Sequence, residues 1–310
     1  MPVRTDDIVL ELETIRLTLS PSAGASIVAL EHRDPRGRWA DVLRRMPSDS
    51  DDASDAGSFV MLPWTNRIAD ARFRFDGSEY PLVANHGDGT AIHGVARDRA
   101  WSLIDRSPIT ARLTYRHQPD ATFPFDFGGV VRYEIAPDRV EMDLSVTNLG
   151  DQAFPAGCGH HPYFHRRLHS DADELRVRMD VSGRYACEDC IPSGQHDDDE
   201  ACALLRSGGP IGNPGLDDVF AGFGGEAELE WPASGVRMRM RCSEELGHVV
   251  VYTPRLGDGS ADAHVCIEPV SMVNDGFNLH DRGEDGTGVR VLSPGETLRT
   301  RTDFVFSSIG

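Results

Sequence analysis

Lysine is absent from this 310-residue sequence, so all 31 basic residues are arginines, against 50 acidic residues and a formal net charge of −19. A surface with this sign of charge repels polyanions, which argues against nucleic acid and anionic membranes as partners. We therefore expect an uncharged small molecule as the ligand. Two origins account for the missing lysine: a high-salt cytoplasm, where screening lets dense carboxylates coexist, and codon bias in a GC-rich genome.

Long apolar runs are also missing. No run of about 18 apolar residues occurs, and the N-terminal residues 1–7 lack the apolar segment of a secretory signal. We therefore expect a cytoplasmic protein without a membrane span. The apolar fraction of 39%, with 13 Phe, 4 Trp and 6 Tyr, suffices for a substantial core. We expect a single domain over residues 1–310, as a monomer or homodimer.

Cysteine is sparse for a disulfide scaffold: the chain has six, so we expect free thiols. Cys187 and Cys190 have the spacing of a zinc-ligand pair, and His196 and Cys202 follow them. No second closely spaced pair accompanies them, and residues 193–201 form an acidic run that contains glycine. We interpret this region as a flexible loop and predict no metal, with a local zinc site as the alternative.

Helical periodicity is weak, since no segment keeps a 3.6-residue hydrophobic period over roughly 12 residues. Alternation is clear instead: apolar and polar side chains alternate in 140–147 and again in 236–242. Asp76-Gly77 predicts a hairpin turn, because both residues take positive φ angles readily. The sequence therefore predicts an all-β protein, a large antiparallel β-sandwich. The expected strands lie near 8–20, 59–62, 72–83, 100–105, 109–117, 129–149, 174–181, 226–231, 235–242, 248–253, 263–268 and 289–306, and the expected loops are 46–57, 193–215, 255–262 and 281–288.

Two motifs carry titratable groups suited to proton transfer. Glu268, in the motif 266–269, ends an apolar run immediately before a proline, which predicts a carboxylate at a strand terminus beside buried surface. Burial there raises a carboxyl pKa toward the range of a general base. In 159–164, His160 and His161 point to opposite faces of an extended segment, so one of them enters a given pocket and the other is structural.

Three further motifs carry residue types suited to binding a polyhydroxylated ligand such as a sugar. Arg67 follows 63–66, which combines ring surface with hydrogen-bond donors. His93 precedes Gly94, whose missing side chain allows close approach of backbone or ligand. Asp217 offers a carboxylate for hydroxyl groups. Each motif alone fits a structural or surface role at least as well, so their combination and order carry the argument.

In that order, the motifs resemble those of the aldose 1-epimerase (galactose mutarotase) family from about residue 10 to residue 306. The resemblance implies a single β-sandwich of the galactose mutarotase type, with the sugar in an open cleft on one sheet. The matching elements are Asn66-Arg67-Ile68, His93-Gly94, the segment with Tyr163-Phe164, Ile191-Pro192-Ser193-Gly194, Leu216-Asp217-Asp218, Glu268-Pro269 and Phe277-Asn278.

The resemblance also implies roles for individual residues. Glu268 matches the catalytic base, His161 the general acid and His93 the second active-site histidine. Arg67 and Asp217 match residues that bind substrate hydroxyls. The other expected sugar-binding residues are Asn66, Trp64, Tyr163 and Arg97, with Trp64, Tyr163 or Phe277 covering the apolar face of the sugar.

The expected function is that of an aldose 1-epimerase, an isomerase that interconverts the anomers of a free hexose without a cofactor. Segment 93–101 is closer to the hexose-6-phosphate 1-epimerase branch, which leaves the substrate open. In that alternative, Arg67, Arg72, Arg74, Arg97 and Arg99 cluster around a phosphate. A non-catalytic carbohydrate-binding protein of the same fold is a further alternative, although it has no use for an acid and base pair.

Overall fold

The computed structural model describes residues 6–309, and strands dominate this part of the chain. Its two α-helices are α1 (Glu200–Ser207) and α2 (Gly276–Asp281). The strands, β1 to β25 in chain order, are Ile8–Leu12, Ile15–Ser20, Ser26–Arg33, Trp39–Asp41, Ser58–Met61, Arg67–Ile68, Arg72–Phe75, Ser78–Pro81, Ala91–Ile92, Ser102–Arg106, Thr110–His117, Phe127–Ala136, Arg139–Asn148, Phe154–Ala156, Gly159–His165, Arg176–Met179, Gly183–Glu188, Ile191–Asp197, Asp217–Ala221, Glu226–Trp231, Val236–Cys242, His248–Tyr252, His264–Val270, Arg290–Leu292 and Thr297–Ser308.

Two large antiparallel sheets form the layers of the fold. The first has the strand order β1-β2-β3-β5-β15-β23-β22-β19-β17-β18, with β4 beside β3, and the second has the order β10-β11-β12-β13-β25-β21-β20-β16. The main core combines side chains of the first sheet, such as Leu17 and Val251, with side chains of the second, such as Leu144 and Phe304. The structure thus confirms the predicted all-β, antiparallel sandwich.

The outer face of the second sheet shows why alternation predicted these strands. Alternate side chains of β21 are buried, and the arginines between them point outward. Arg237 lies 2.6 Å from Glu230, and Arg239 lies 2.9 Å from Glu228, the residues directly opposite them on β20. The planar guanidinium matches carboxylate geometry, so cross-strand pairs of this kind place much of the acidic charge beside a cation.

Some local predictions are confirmed by the structure, and several strands without alternation were missed. The Asp76-Gly77 hairpin is confirmed, with φ angles of 49° and 73°. The strand β3 was not expected, because its first five residues are all buried and therefore do not alternate. The strands β17 to β19 were missed as well.

The predicted loop over 193–215 is wrong, because the end of β18 and the helix α1 occupy part of it. Asp199 caps α1: its carboxylate accepts hydrogen bonds from the backbone N–H groups of Ala201 and Cys202. A helix of eight residues is too short to show a clear helical period in the sequence. All six cysteines are free thiols, and no helix in residues 6–309 is long and apolar enough to cross a membrane.

Candidate active site

The candidate site lies on the face of the first sheet that points away from the main core. The strands β5, β15, β23, β22 and β19 are neighbours there in that order. Val60 and Ile267 belong to the main core, whereas the adjacent residues Phe59 and Glu268 point to the opposite face, because strand side chains alternate. Phe59 of β5 is directly opposite His161 of β15. Residues far apart in the sequence therefore meet on one face.

His161 and Glu268 are in direct contact. The Nε2 atom of His161 lies 3.2 Å from Oε1 of Glu268, and the two side chains are 7% and 2% exposed. Glu268 lies within β23, which continues through Pro269 to Val270, and not at the strand terminus that the sequence suggested. His160 is also buried, and it points to the other face of β15.

Burial sets the protonation of this pair. It raises the pKa of Glu268 well above its ordinary value. It also lowers the pKa of His161 to about 3, and the positive charges of Arg97 and Arg44 act in the same direction. Both shifts favour the uncharged forms, so the resting pair is neutral and holds one transferable proton.

Aromatic rings fix the orientation of His161. The ring centroid of Tyr163 lies 4.6 Å from that of His161, with an interplanar angle of 21°, and the Phe59 centroid lies at the same distance. The guanidinium of Arg44 lies over Tyr163, 3.7 Å from its centroid, and that of Arg97 lies 5.2 Å from the centroid of Phe59. These contacts restrict the imidazole to one position beside Glu268.

His93 reaches the same cluster from a separate two-stranded ribbon, β6 and β9. Its ring meets that of His161 edge to face at 5.0 Å, and its Nδ1 lies 3.1 Å from the sulfur of Met61. Burial holds the pKa of His93 well below its ordinary value, so this histidine is neutral. His93 itself has a φ of 62°, and Gly94 follows with a φ of 70°.

A glycine is required at position 94 both because its φ is positive and because the backbone of Leu62 lies too close for a side chain. This confirms the predicted close approach of backbone. A Cβ atom there would lie 1.9 Å from the carbonyl oxygen of Leu62. We expect Gly94→Ala to lower the free energy of unfolding by roughly 3 kcal/mol or more, from the left-handed conformation and the steric overlap together. Urea unfolding followed by circular dichroism measures the loss.

Gly77 provides the matched control for that measurement. It has a similar φ of 73°, but nothing lies within 4 Å of an added Cβ. Gly77→Ala should therefore cost only about 1 kcal/mol, the conformational part of the effect. Equal losses in the two variants would contradict the steric role assigned to Gly94.

Arg67, Asn66 and Asp217 form a polar edge of the site. The Nε atom of Arg67 lies 3.0 Å from Asp88, and its Nη1 lies 3.9 Å from Asp217. The side-chain oxygen of Asn66 accepts a hydrogen bond from the backbone N–H of Arg67 at 2.8 Å.

The thiol of Cys190 donates a hydrogen bond to Asp217 at 3.3 Å, a contact that the sequence did not indicate. The zinc alternative placed Cys190 with Cys187, but among residues 6–309 neither cysteine belongs to a group of three potential ligands whose donor atoms lie within 4.8 Å of one another.

A cavity of about 540 Å³ opens beside His161. Three of its lining residues, Phe59, His93 and Tyr163, are the rings that contact His161. Arg97 also lines it, and its Nη1 donates to the hydroxyl of Ser54 at 2.9 Å. The volume is within the range of small-molecule sites. The carboxylates along the wall are Asp51, Asp52 and Asp98, with Asn85 and His86 as further polar groups.

Trp64 and Phe277 are not at the site, which corrects the expectation that they cover a sugar. Both are 1% exposed and belong to the main core. The indole N–H of Trp64 donates to the carbonyl of Ala91 at 3.3 Å, and Phe277 packs against Phe73. Their apolar surface is used inside the sandwich. Tyr163, in contrast, is partly exposed and lines the cavity.

Solved structures share this architecture. A galactose mutarotase-like protein from Clostridium acetobutylicum superimposes with a TM-score of 0.84 at 19% identity, covering 97% of this chain and 95% of that one. An aldose epimerase homologue from C. elegans gives 0.82 at 20% identity, covering 98% and 99%. The fold is therefore that of the galactose mutarotase-like proteins, as the sequence predicted.

The sequence comparisons identify the family. The profile of the aldose 1-epimerase family matches residues 11–305, so the chain belongs to that family. It is 28% identical over 267 residues to the uncharacterized protein YphB of Escherichia coli (strain K12), covering 84% of this chain and 88% of that protein. It is also 28% identical over 148 residues to the galactose mutarotase of Sus scrofa, covering 46% and 42%.

Proposed function

We propose that this protein is an aldose 1-epimerase that interconverts the α and β anomers of a free hexose. The observation that carries the proposal is the buried pair of His161 and Glu268, whose Nε2 and Oε1 atoms lie 3.2 Å apart. The pair lies beside a polar cavity, in a chain of the aldose 1-epimerase family.

Anomer exchange requires that O1 loses a proton while the ring oxygen gains one, which opens the ring to an aldehyde. In the sugar complex the one proton of the resting pair passes from Glu268 to His161. The Glu268 carboxylate then takes the O1 proton, and the His161 imidazolium gives its proton to the ring oxygen. After rotation about the C1–C2 bond, the C5 hydroxyl attacks the other face of the carbonyl and the two roles reverse. The pair ends each cycle with the one proton it started with.

The electrostatics of the site suit both transfers. A raised pKa makes the carboxylate of Glu268 a stronger base, and a lowered pKa makes the imidazolium of His161 a stronger acid. In the proposed complex, O1 and the ring oxygen of the sugar lie within reach of Glu268 and His161, so protons pass between the sugar and these two side chains. Arg67 and Asp217 hold hydroxyl groups at the polar edge, and Tyr163 offers a ring to the apolar face of the sugar.

The charges near the site favour a neutral hexose over a hexose phosphate. The five arginines of the phosphate alternative each lie within 4.0 Å of an aspartate, and of these five Arg97 lines the cavity. Asp51, Asp52 and Asp98 line the same cavity. A phosphate dianion that enters the cavity is repelled by these three carboxylates. Each of the five arginines is already paired with an aspartate, so none of them is free to offset that repulsion.

Polarimetry and NMR on freshly dissolved α-glucose, α-galactose and their 6-phosphates test the proposal. We expect accelerated mutarotation of the free sugars and a kcat/KM lower by roughly tenfold or more for the phosphates, because of charge repulsion. Glucose 6-phosphate added to the glucose assay should compete poorly. Preference for the phosphate would contradict the assignment, and sugar binding without acceleration would identify a non-catalytic sugar-binding protein.

A further inference from the structure

Cys266 places a thiol beside the proposed acid–base pair. It precedes Glu268 by two residues on β23, so both side chains point to the same face of the sheet, and it is directly opposite Tyr163. The ligand atoms of His161, Cys266 and Glu268 all lie within 4.8 Å of one another, and the three residues are buried. The proton transfers of the proposed reaction make no use of the thiol.

Two polar atoms of this cluster lack hydrogen-bond partners among residues 6–309. They are Oε2 of Glu268 and Nδ1 of His161, and both are inaccessible to solvent. Buried polar atoms are rarely left unpartnered. These two atoms can therefore still bind a ligand, and they belong to side chains whose potential ligand atoms lie close together.

We propose that His161, Cys266 and Glu268 bind a thiophilic divalent cation such as Zn²⁺ or Cd²⁺, and that the bound cation blocks the active site. Imidazole, thiolate and carboxylate are all zinc ligands, at roughly 2.0–2.3 Å from the metal, so donors around one tetrahedral zinc lie about 3.5 Å apart. The 3.2 Å between Nε2 of His161 and Oε1 of Glu268 is close to that spacing. Three protein ligands leave the fourth tetrahedral position for water. Magnesium and calcium prefer oxygen ligands and are excluded by the thiol.

Charge compensation explains why a dication suits this buried cluster. Burial raises the pKa of both Cys266 and Glu268, because a lone anion is costly away from water. A divalent cation offsets both negative charges at once. Its binding releases the thiol proton and the proton held between His161 and Glu268, so the pair loses the proton that it would transfer to the sugar.

Cadmium binding tests the site without reference to activity. Cd²⁺ is titrated into the metal-free full-length protein, and the thiolate-to-cadmium charge-transfer absorption is recorded. The wild-type protein should show an equimolar absorption change that Cys266→Ser removes, with Cys266→Ala as a second variant and circular dichroism as the check on folding. Cys242→Ser, which alters a cysteine on β21 of the other sheet, should retain the change. An absorption change that is absent from the wild type, or that persists without the Cys266 thiol, overturns the proposal.

Zinc inhibition tests whether the bound cation blocks the active site, an inference that rests on the proposed mutarotase function. Zn²⁺ should inhibit the wild-type enzyme competitively with sugar, a chelator should restore the rate, and Mg²⁺ should have no effect. Cys266→Ser should keep its basal rate and need at least about tenfold more zinc for the same inhibition. Equal zinc sensitivity of the two proteins overturns the proposal. If the wild type has no mutarotase activity, the proposed function fails while the cadmium titration still decides the metal site.

Discussion

Replacing Glu268 with glutamine should lower the rate of mutarotation by roughly 10²- to 10⁴-fold, the usual contribution of a general acid–base group. Glutamine has nearly the same shape but no titratable oxygen, so it cannot take the O1 proton. Because burial already favours the uncharged form of Glu268, an uncharged amide should leave the fold intact. Polarimetry gives the rate, and thermal unfolding gives the stability.

Glu31→Gln is the matched control for this substitution. Glu31 lies on β3 of the same sheet, where it pairs with Arg16 and Arg45 instead of a histidine. These pairs are partly buried, and β3 carries none of the proposed site residues, so this variant should mutarotate sugars at the wild-type rate. A near-normal rate in Glu268→Gln, with the protein folded, would show that another group acts as the base.

Removing the imidazole should have an effect of similar size. His161→Ala is expected to lose roughly 10²- to 10⁴-fold in rate, because no other described group is in contact with Glu268 to protonate the ring oxygen. The substitution leaves a space beside Phe59 and Tyr163, the rings that hold the imidazole in the wild type. Added imidazole should therefore restore part of the rate, whereas it should not restore Glu268→Gln.

The double variant examines whether the two residues act as a unit. If one proton passes between them in each cycle, the loss in His161→Ala/Glu268→Gln should be close to that of either single variant and far below the product of the two. His165→Asn serves as the control, because His165 lies on the same strand but its ring packs against His264. Multiplicative losses, or no rescue by imidazole, would count against a shared proton.

Sequence and structure agree on the fold where the side chains alternate. The strands β12, β13 and β21 bury every second residue, so the pattern of apolar residues predicted both their positions and their inward faces. β3 is buried on both faces at its start, and α1 spans just over two turns, so neither has a periodicity that reveals its type.

For the site, too, the sequence predicted some residues correctly and missed or misplaced others. The motifs with Arg67, His93, His161 and Glu268 were recognisable because unusual groups recur in a familiar order. Trp64 was misplaced, because an aromatic residue next to a polar motif serves equally well in a core or in a binding site. Cys266 and Phe59 were missed, since a small thiol and a phenyl ring inside apolar strands have the sequence signature of core residues.

The sequence by itself determined the charge, the two-residue alternation that produces the sheets, and the residue types available for proton transfer, because these are properties of composition and local order. Only the tertiary structure decided that β5, β15 and β23 are neighbours. That strand order brings His161 to 3.2 Å from Glu268 and places Cys266 beside them. The pairing of strands that are distant in the sequence depends on how the whole core packs. That packing buries His161 and Glu268 and thereby shifts the pKa values of both.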